Sequence, residues 1–579
     1  MNFKILIADR LYSDYKCINI NTEEIVDITI DGLFEKKIFN NDIMELKDKD
    51  IKEIQSPVRN ANKIAGVLVL ENNKSYGRTV NGKLLYKVIP DDSHLPQFLV
   101  PYELKMGFSK KFINKYITFQ YKNWENKHPE GIIKDTLGDV NNLDVFFEYQ
   151  LYCKSLHVSL TSFNADAKRI LKQKTKDEYI NMILGNKDYN MIDRTNEYIF
   201  TIDSSTSTDL DDGFSIMRVE SGWKVSIYIS NVFLWLETLH LWDSFAERVS
   251  TIYLPDRKRP MLPTVLSDTL CSLQENQIRF AMCLDTYINN DGEFINVEDY
   301  TIKNCMIKVS KNHSYGSKEL EKDSNYRELF RMSKLLDYSV KTSHDLVSYW
   351  MVVMNMYVAS VMNKKKIGIF RTAFIKNKDL LKDIPDDLPD DSFTAIKLWN
   401  NSVGKYVLFD EGLTLEHELI KSKVFHINSL NSYLHITSPI RRLVDLLNQI
   451  IMFHDFKVVN KVSENALKFL EKWKNKIEYI NVSMRCIRRV QVDCNILARF
   501  YNESELLCNQ YKGIVFDKLM KTDGMFSYMV YLQEFKILSR ITTSEDFDNY
   551  SSHIFKIFLF EDEEKVKRKI RLQYYSKCI

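Results

Sequence analysis

TIDSSTSTDLDDGFSI, residues 201–216, places Asp203, Asp209, Asp211 and Asp212 within a single short stretch. The strand-like run EYIFTID leads in and GFSIMRVE leads out, so the four carboxylates fall on a compact loop between strands. Carboxylates this close cannot all stay ionised in a partly buried place without a partner, because mutual repulsion raises some of their pKa values. On an open loop, water and salt screen them. In a closed site, divalent cations neutralise them, and hard oxygen ligands suit Mg²⁺ or Mn²⁺. A pair of such ions can activate water and stabilise the leaving oxygen of a phosphodiester. An EF-hand loop with Gly213 at its glycine position would need ligands at Leu210 and at residue 219, which is Val219, so that reading fails. A DxD sugar-nucleotide site leaves Asp203 and Asp212 without a purpose.

The second informative stretch is YLHITSPIRRLVDLLNQI, residues 433–450. Ser438 and Pro439 are expected to open a helix, with Pro near its first turn. Arg441 and Arg442 then fall in that first turn, where cations oppose the helix dipole. Arginine is the best bidentate partner for phosphate, and free amides at a helix start add to an anion site. Asp445 offers the alternative, a local pair that holds one of the arginines.

Together these stretches resemble the RNB family, which includes bacterial RNase II and RNase R and the catalytic subunit of the eukaryotic exosome. The family's first signature, an Asp, five residues, then Asp-x-Asp-Asp, reads here as Asp203, Asp209, Asp211 and Asp212. Its TSPIRR signature stands at Thr437 to Arg442. Between them, YLPDRKRPMLPTVLSDTLCSL from Tyr253 to Leu273 looks like a third family segment. The resemblance implies a 3′→5′ exoribonuclease that hydrolyses single-stranded RNA to nucleoside 5′-monophosphates. By the same resemblance the four aspartates surround two Mg²⁺ (or Mn²⁺) ions and the scissile phosphate, and Arg441 contacts that phosphate. Arg442 is a further RNA-binding candidate. Tyr253 stacks on a base near the 3′ end, and Tyr315 clamps the terminal base from the other side. Stacking tolerates any base, which suits a non-specific degrader.

The chain departs from the family pattern in several places. Tyr228-Ile229-Ser230-Asn231-Val232 replaces a usual His-Ile-Ala-Asp-Val, and Ser348 and Tyr349 stand where paired glutamates are usual. Leu443 replaces a Tyr, Asn448-Gln449 a His-Arg, and Gly213 an Ala. These losses leave a rival open: an inactive RNA-binding or scaffold protein of the same fold. A metal-dependent DNase or endonuclease is the other.

The expected architecture is multidomain α/β + β, an RNB catalytic domain flanked by OB-fold β-barrels. At 579 residues the chain exceeds one core. Residues 1–60 have no readable role. Residues 61–155 alternate short β-branched and aromatic runs with turns, as a cold-shock-type OB domain does, with Tyr76, Arg78 and Tyr86 as possible nucleic-acid contacts. Residues 156–190 are a basic helical linker, 191–505 the RNB domain with C-terminal helices, and 506–579 an S1-type OB domain ending in Lys565, Lys567, Arg568, Lys569 and Arg571. Residues 463–500 read as one long amphipathic helix.

Composition bounds the rest. Net charge is +2, so a nucleic-acid site must be a local channel or patch. Nine cysteines, with no CxxC pair, point to reduced, intracellular usage. The opening MNFKILIADR has too short an apolar run for a signal peptide, and Met351–Met362 is too short to span a bilayer. The sequence therefore predicts a soluble, cytoplasmic protein that binds single-stranded RNA and no membrane. Protein partners are not legible.

Overall fold

The computed structural model describes residues 1–47, 50–103, 112–295, 297, 300–372, 384–385, 388–400, 404–410 and 432–577. They fall into two compact units. One comprises Met1–His157, Leu254–Arg257 and Arg488–Ile579; the other Val158–Tyr253 and Lys258–Ile487.

The first unit is built of three small β assemblies. Residues 1–55, opaque in the sequence, form an antiparallel five-stranded sheet. Its central strand Asn2–Ile7 alternates, with Phe3, Ile5 and Ile7 buried beside Cys17 and Ile30. The next five strands, Ile64–Leu68, Leu85–Pro90, Phe98–Pro101, Lys115–Asn123 and Glu130–Asp139, close into a barrel. All its pairs are antiparallel except that of the third and fifth strands, parallel at Leu99 and Glu130. Gly66 lets the first two strands approach: a Cβ there would meet Ile89 O and a Val88 methyl at 2.9 Å. Tyr86, expected as a nucleic-acid contact, is instead a core residue with no exposure, its hydroxyl donating to Asn73. The C-terminal strands Gln510–Met520, Phe526–Leu532, Ile537–Thr543, Ser552–Glu561 and Arg568–Lys577 repeat the same neighbour order with the seam left open. This is the Greek-key order of OB folds, which are often partly open. The period of two splits the terminal basic run: Lys567, Lys569 and Arg571 face solvent, whereas Arg568 turns inward to Glu561.

The second unit is centred on a mixed sheet. We name its main strands β1 (Ile199–Asp203), β2 (Asp212–Val219), β3 (Gly222–Ser230), β4 (Ile278–Ile288) and β5 (Ile302–Ser314). They pair in the order β5-β1-β2-β3-β4, and β5 also pairs with β4, so the sheet curls onto itself. β4 is buried along almost its whole length, with Arg279, Asp285 and Thr286 among its otherwise mostly apolar residues. Helices α1 (Val232–Thr238), α2 (Ser343–Lys364) and α3 (Leu443–Asp455) also belong to this unit.

Two helical expectations need correction. The amphipathic stretch expected as one helix is two, Glu464–Lys474 and Ile477–Asn502. They break at polar Asn475 and Lys476, just past the buried Trp473, over whose ring Lys472 and Lys476 lie. α2 is longer than its apolar run suggested; by length and composition it could cross a membrane. Its Leu346, Trp350, Met354, Val358 and Met362 are buried inside this unit, and a Thr342–Asp345 capping box fixes its start. None of the eight cysteines among the described residues is in a disulfide; Cys578 lies outside them.

Candidate active site

β1 ends at Asp203 and β2 begins at Asp212, so the acidic loop is the β1–β2 connection. Strand pairing fixes its two ends. Asp203 sits opposite Ser314 of β5, and its carbonyl accepts the N–H of Tyr315 at 2.9 Å. Asp212 sits opposite Ile229 of β3. The Asp211 carbonyl accepts the N–H of Ser230, and the Leu210 N–H donates to Ser272 Oγ. The loop is therefore anchored at both ends and in the middle.

The four carboxylates do not share one environment. Asp211 is 2% exposed. Its Oδ1 accepts the Ile440 N–H at 3.0 Å and its Oδ2 accepts Arg441 Nε at 3.2 Å. Burial nevertheless pushes Asp211 up to about 7, against the pull of Arg441 and of that amide. Asp209 Oδ1 takes the Lys258 ammonium at 3.0 Å, and its Oδ2 accepts the Tyr253 hydroxyl at 3.0 Å. Asp203 Oδ2 and Asp212 Oδ2 are buried and accept no hydrogen bond. Burial lifts Asp203 to about 6, and burial plus the charges of Asp203 and Asp211 lifts Asp212 well above the carboxylate range.

The arginine turn differs from its expectation. Ser438 to Arg441 form a turn, Arg442 is extended and bridges to Ser250, and α3 begins only at Leu443. Both arginines thus precede the helix, which removes the conflict with its dipole. Arg441 is held by Asp211 and by Ser438 Oγ, yet its side chain is 45% exposed. Arg442 turns inward instead, its Nη2 2.7 Å from Asp445 Oδ1, an oxygen that also accepts the Ser438 N–H. Asp445 is fully buried. Arg442 and Asp445 brace the turn, and Arg441 is the arginine left facing outward.

Tyr253 is 39% exposed beside Asp209. Tyr315 stacks on His344, the first-turn residue of α2, with ring centroids 3.6 Å apart. Sequence reasoning missed His344, because nothing in the chain signals contact between residues this far apart. It also missed Lys258 and Asp268; the RKR run at 257–259 was the available signal.

The departures from the family pattern have local explanations. Asn231 caps α1 by accepting the Leu234 N–H, a task Asn performs as well as Asp. Asn448 bonds Ile369 and His435 backbone, and Gln449 bonds Ser230 and Phe233 backbone, all buried. Ser348 is exposed and Tyr349 buried. A Cβ at Gly213 would meet only ordinary contacts, from 3.4 Å outward, so nothing there demands glycine.

Among the described residues, no three His, Cys, Asp or Glu side chains are grouped as a set of metal ligands. Of the four aspartates that the family resemblance places around the metals, Asp209 and Asp211 face Lys258 and Arg441 in this structure. The two orphaned, buried oxygens of Asp203 and Asp212 do fit a hard divalent cation, which commonly takes one or two carboxylates and completes its shell with water and phosphate.

Residues 191–320 match the RNB domain family. Over 102 residues the chain is 40% identical to exoribonuclease 2 of Psychromonas ingrahamii, covering 17% of this chain and 16% of that protein. Over 448 residues it is 25% identical to ribonuclease R of Buchnera aphidicola subsp. Schizaphis graminum, covering 63% and 59%. The chain thus spans less than two thirds of the length of either relative. Among solved structures, the apo form of Mycoplasma genitalium RNase R matches with a TM-score of 0.69 at 16% identity, over 100% of this chain and 97% of that one. Yeast Ssd1, a pseudonuclease, matches at 0.60 and 14% identity, over 96% and 81%. The fold expectation, an α/β block with OB-type barrels, is borne out.

Proposed function

We propose that this protein is a 3′→5′ exoribonuclease that hydrolyses single-stranded RNA to nucleoside 5′-monophosphates. The observation that carries the reading is the junction of Arg441 with the acidic loop. A half-exposed guanidinium, fixed by a buried carboxylate, stands beside two further carboxylates that each keep one buried oxygen, Oδ2, without a hydrogen-bond partner. A protein that only bound RNA would gain nothing from clustered negative charge there.

In this reading Asp203 and Asp212 hold a divalent cation, Mg²⁺ or Mn²⁺. Its chemistry is Lewis acidity toward the phosphodiester and the attacking water. The chain's own groups do the rest. Arg441 offers its outward N–H donors to a non-bridging phosphate oxygen, where charge builds as water adds and the P–O3′ bond breaks. Asp211 positions Arg441 by accepting Nε, and the Ile440 amide fixes Asp211 in turn. The exposed ring of Tyr253, and Tyr315 backed by His344, provide stacking surfaces for bases of any identity.

The test is a 5′-labelled single-stranded RNA with Mg²⁺, beside Asp211→Asn. The wild type is expected to shorten the RNA stepwise from its 3′ end. The variant should bind it with a rate lower by at least ~10²-fold, the usual cost of losing one fixed electrostatic element. The pseudonuclease reading has one observation in its favour, the Lys258 ammonium already seated on Asp209. It stands if both proteins bind RNA and neither cuts with Mg²⁺ or Mn²⁺. Circular RNA and DNA in the same panel separate an endonuclease or DNase, since an exonuclease spares the circle.

A further inference from the structure

Lys258 is the feature the proposed reaction leaves without a task. Its Nζ lies 3.0 Å from Asp209 Oδ1, 3.0 Å from Asp268 Oδ1 and 2.5 Å from Thr208 Oγ1. An ammonium has three protons, so all its donors are taken. The acceptors are themselves tied together: Thr208 Oγ1 donates to Asp268 Oδ2, and Ser267 Oγ to Asp268 Oδ1. The Lys258 side chain is a quarter exposed and Asp209 only 7%, so the pair is largely shielded from solvent. Lys258 is therefore not a free cation waiting for a phosphate. It is a compact positive charge built into the acidic loop.

The remaining charge is distributed accordingly. Asp209 is answered by Lys258 and Asp211 by Arg441. Only Asp203 and Asp212 present buried oxygens with no partner, Asp212 being 6% exposed. Two such carboxylates carry the charge that one divalent ion neutralises, and no second unpartnered pair exists on this loop. We propose that Lys258 takes the place of a second cation against Asp209, so that this centre binds a single divalent ion, held by Asp203 and Asp212. The inference rests on the metal-assisted reading above and deepens it. It replaces the two ions implied by the family resemblance with one ion and one fixed ammonium.

The experiment counts ions rather than turnover. Mn²⁺ is titrated into the RNA-free full chain, and bound ion is read by calorimetry and by the electron paramagnetic resonance of free Mn²⁺. The wild type is expected to bind one ion. Lys258→Met should bind two, and Lys258→Arg, which keeps the charge, should return to one. Asp212→Asn should abolish the wild-type ion, whereas Asp209→Asn should leave it in place. Circular dichroism of each variant guards against misfolding, and a wild-type count other than one overturns the proposal whatever the variants do. Two ions with Lys258 present, no ion at millimolar Mn²⁺, or an unchanged single ion in a folded Lys258→Met protein each overturn the proposal. The outcome is separable from the enzyme reading. A protein that shortens RNA with two ions bound keeps the function and loses this inference; one that binds a single ion and cuts nothing does the reverse.

Discussion

Asp285 and Asp212 are carboxylates of one sheet, 4% and 6% exposed, yet they are held in opposite electrostatic states. Asp285, on β4, meets Arg194 through two bonds of 2.7 and 2.5 Å, Ser226 Oγ at 2.6 Å and Lys303 Nζ at 2.9 Å. Burial would raise it, but these donors outweigh burial and hold it well below the usual carboxylate range. Asp212, at the start of β2, has an oxygen without a partner and two aspartates as neighbours, so burial and repulsion act in the same direction. Depth alone therefore says little about a carboxylate. What matters is whether the fold supplies its counter-charge or leaves that to a ligand. The fold neutralises Asp285 and leaves Asp212 Oδ2 without a donor.

The contrast can be broken most forcefully at Asp285. Asp285→Ala strands the buried Arg194 and should cost ~3–5 kcal/mol in urea unfolding. A loss below ~1 kcal/mol would show the network to be ornamental. Asp212→Asn should do the opposite in metal-free protein, raising its unfolding midpoint, because it removes a carboxyl whose charged form burial and the neighbouring aspartates disfavour. An unfolding midpoint that falls on this substitution would contradict the orphaned-carboxylate picture.

The same comparison fixes a pH dependence. Asp203 and Asp211 are raised from 3.8 to about 6 and about 7, so between those values the folded state keeps protons that the unfolded state releases. Their contribution to stability is complete below pH 3.8 and is lost as pH rises through 6 to 7. Metal-free wild type should therefore show a falling stability component over that window. The double variant Asp203→Asn, Asp211→Asn should flatten it, and Mn²⁺ should restore stability at the alkaline end. The smallest effect is expected at Gly213→Ala, beside Asp212. Its added methyl finds ordinary contacts, so unfolding should change by no more than ~0.5 kcal/mol.

Much of this was legible in the chain. The D-x₅-D-x-D-D spacing located the loop, and the flanking apolar runs placed it between strands, where β1 and β2 stand. Short aromatic and β-branched runs marked both barrels. The first 55 residues were illegible because their strands are short, down to Ile25–Val26, and are interrupted by charged turns. The helix start at Ser438 was misjudged because Pro439 is equally at home in a turn, and the bridge from Arg442 to Ser250 decides between them. Tyr86 was misjudged because alternation shows that a strand has two faces without saying which is inside.

The sequence by itself determined an acidic loop and an arginine turn, since each motif is local and its spacing is covalent; that the two meet was implied only by the family resemblance. It could not determine how the charges would be apportioned. Lys258 reaching Asp209, Arg441 reaching Asp211, His344 backing Tyr315 and Asp212 left alone are long-range pairings. They depend on which side chains the strands and turns bring within a few ångströms. A charge responds to its spatial neighbours and to the loss of water around them, so only the tertiary structure could divide equivalent aspartates into satisfied and unsatisfied ones.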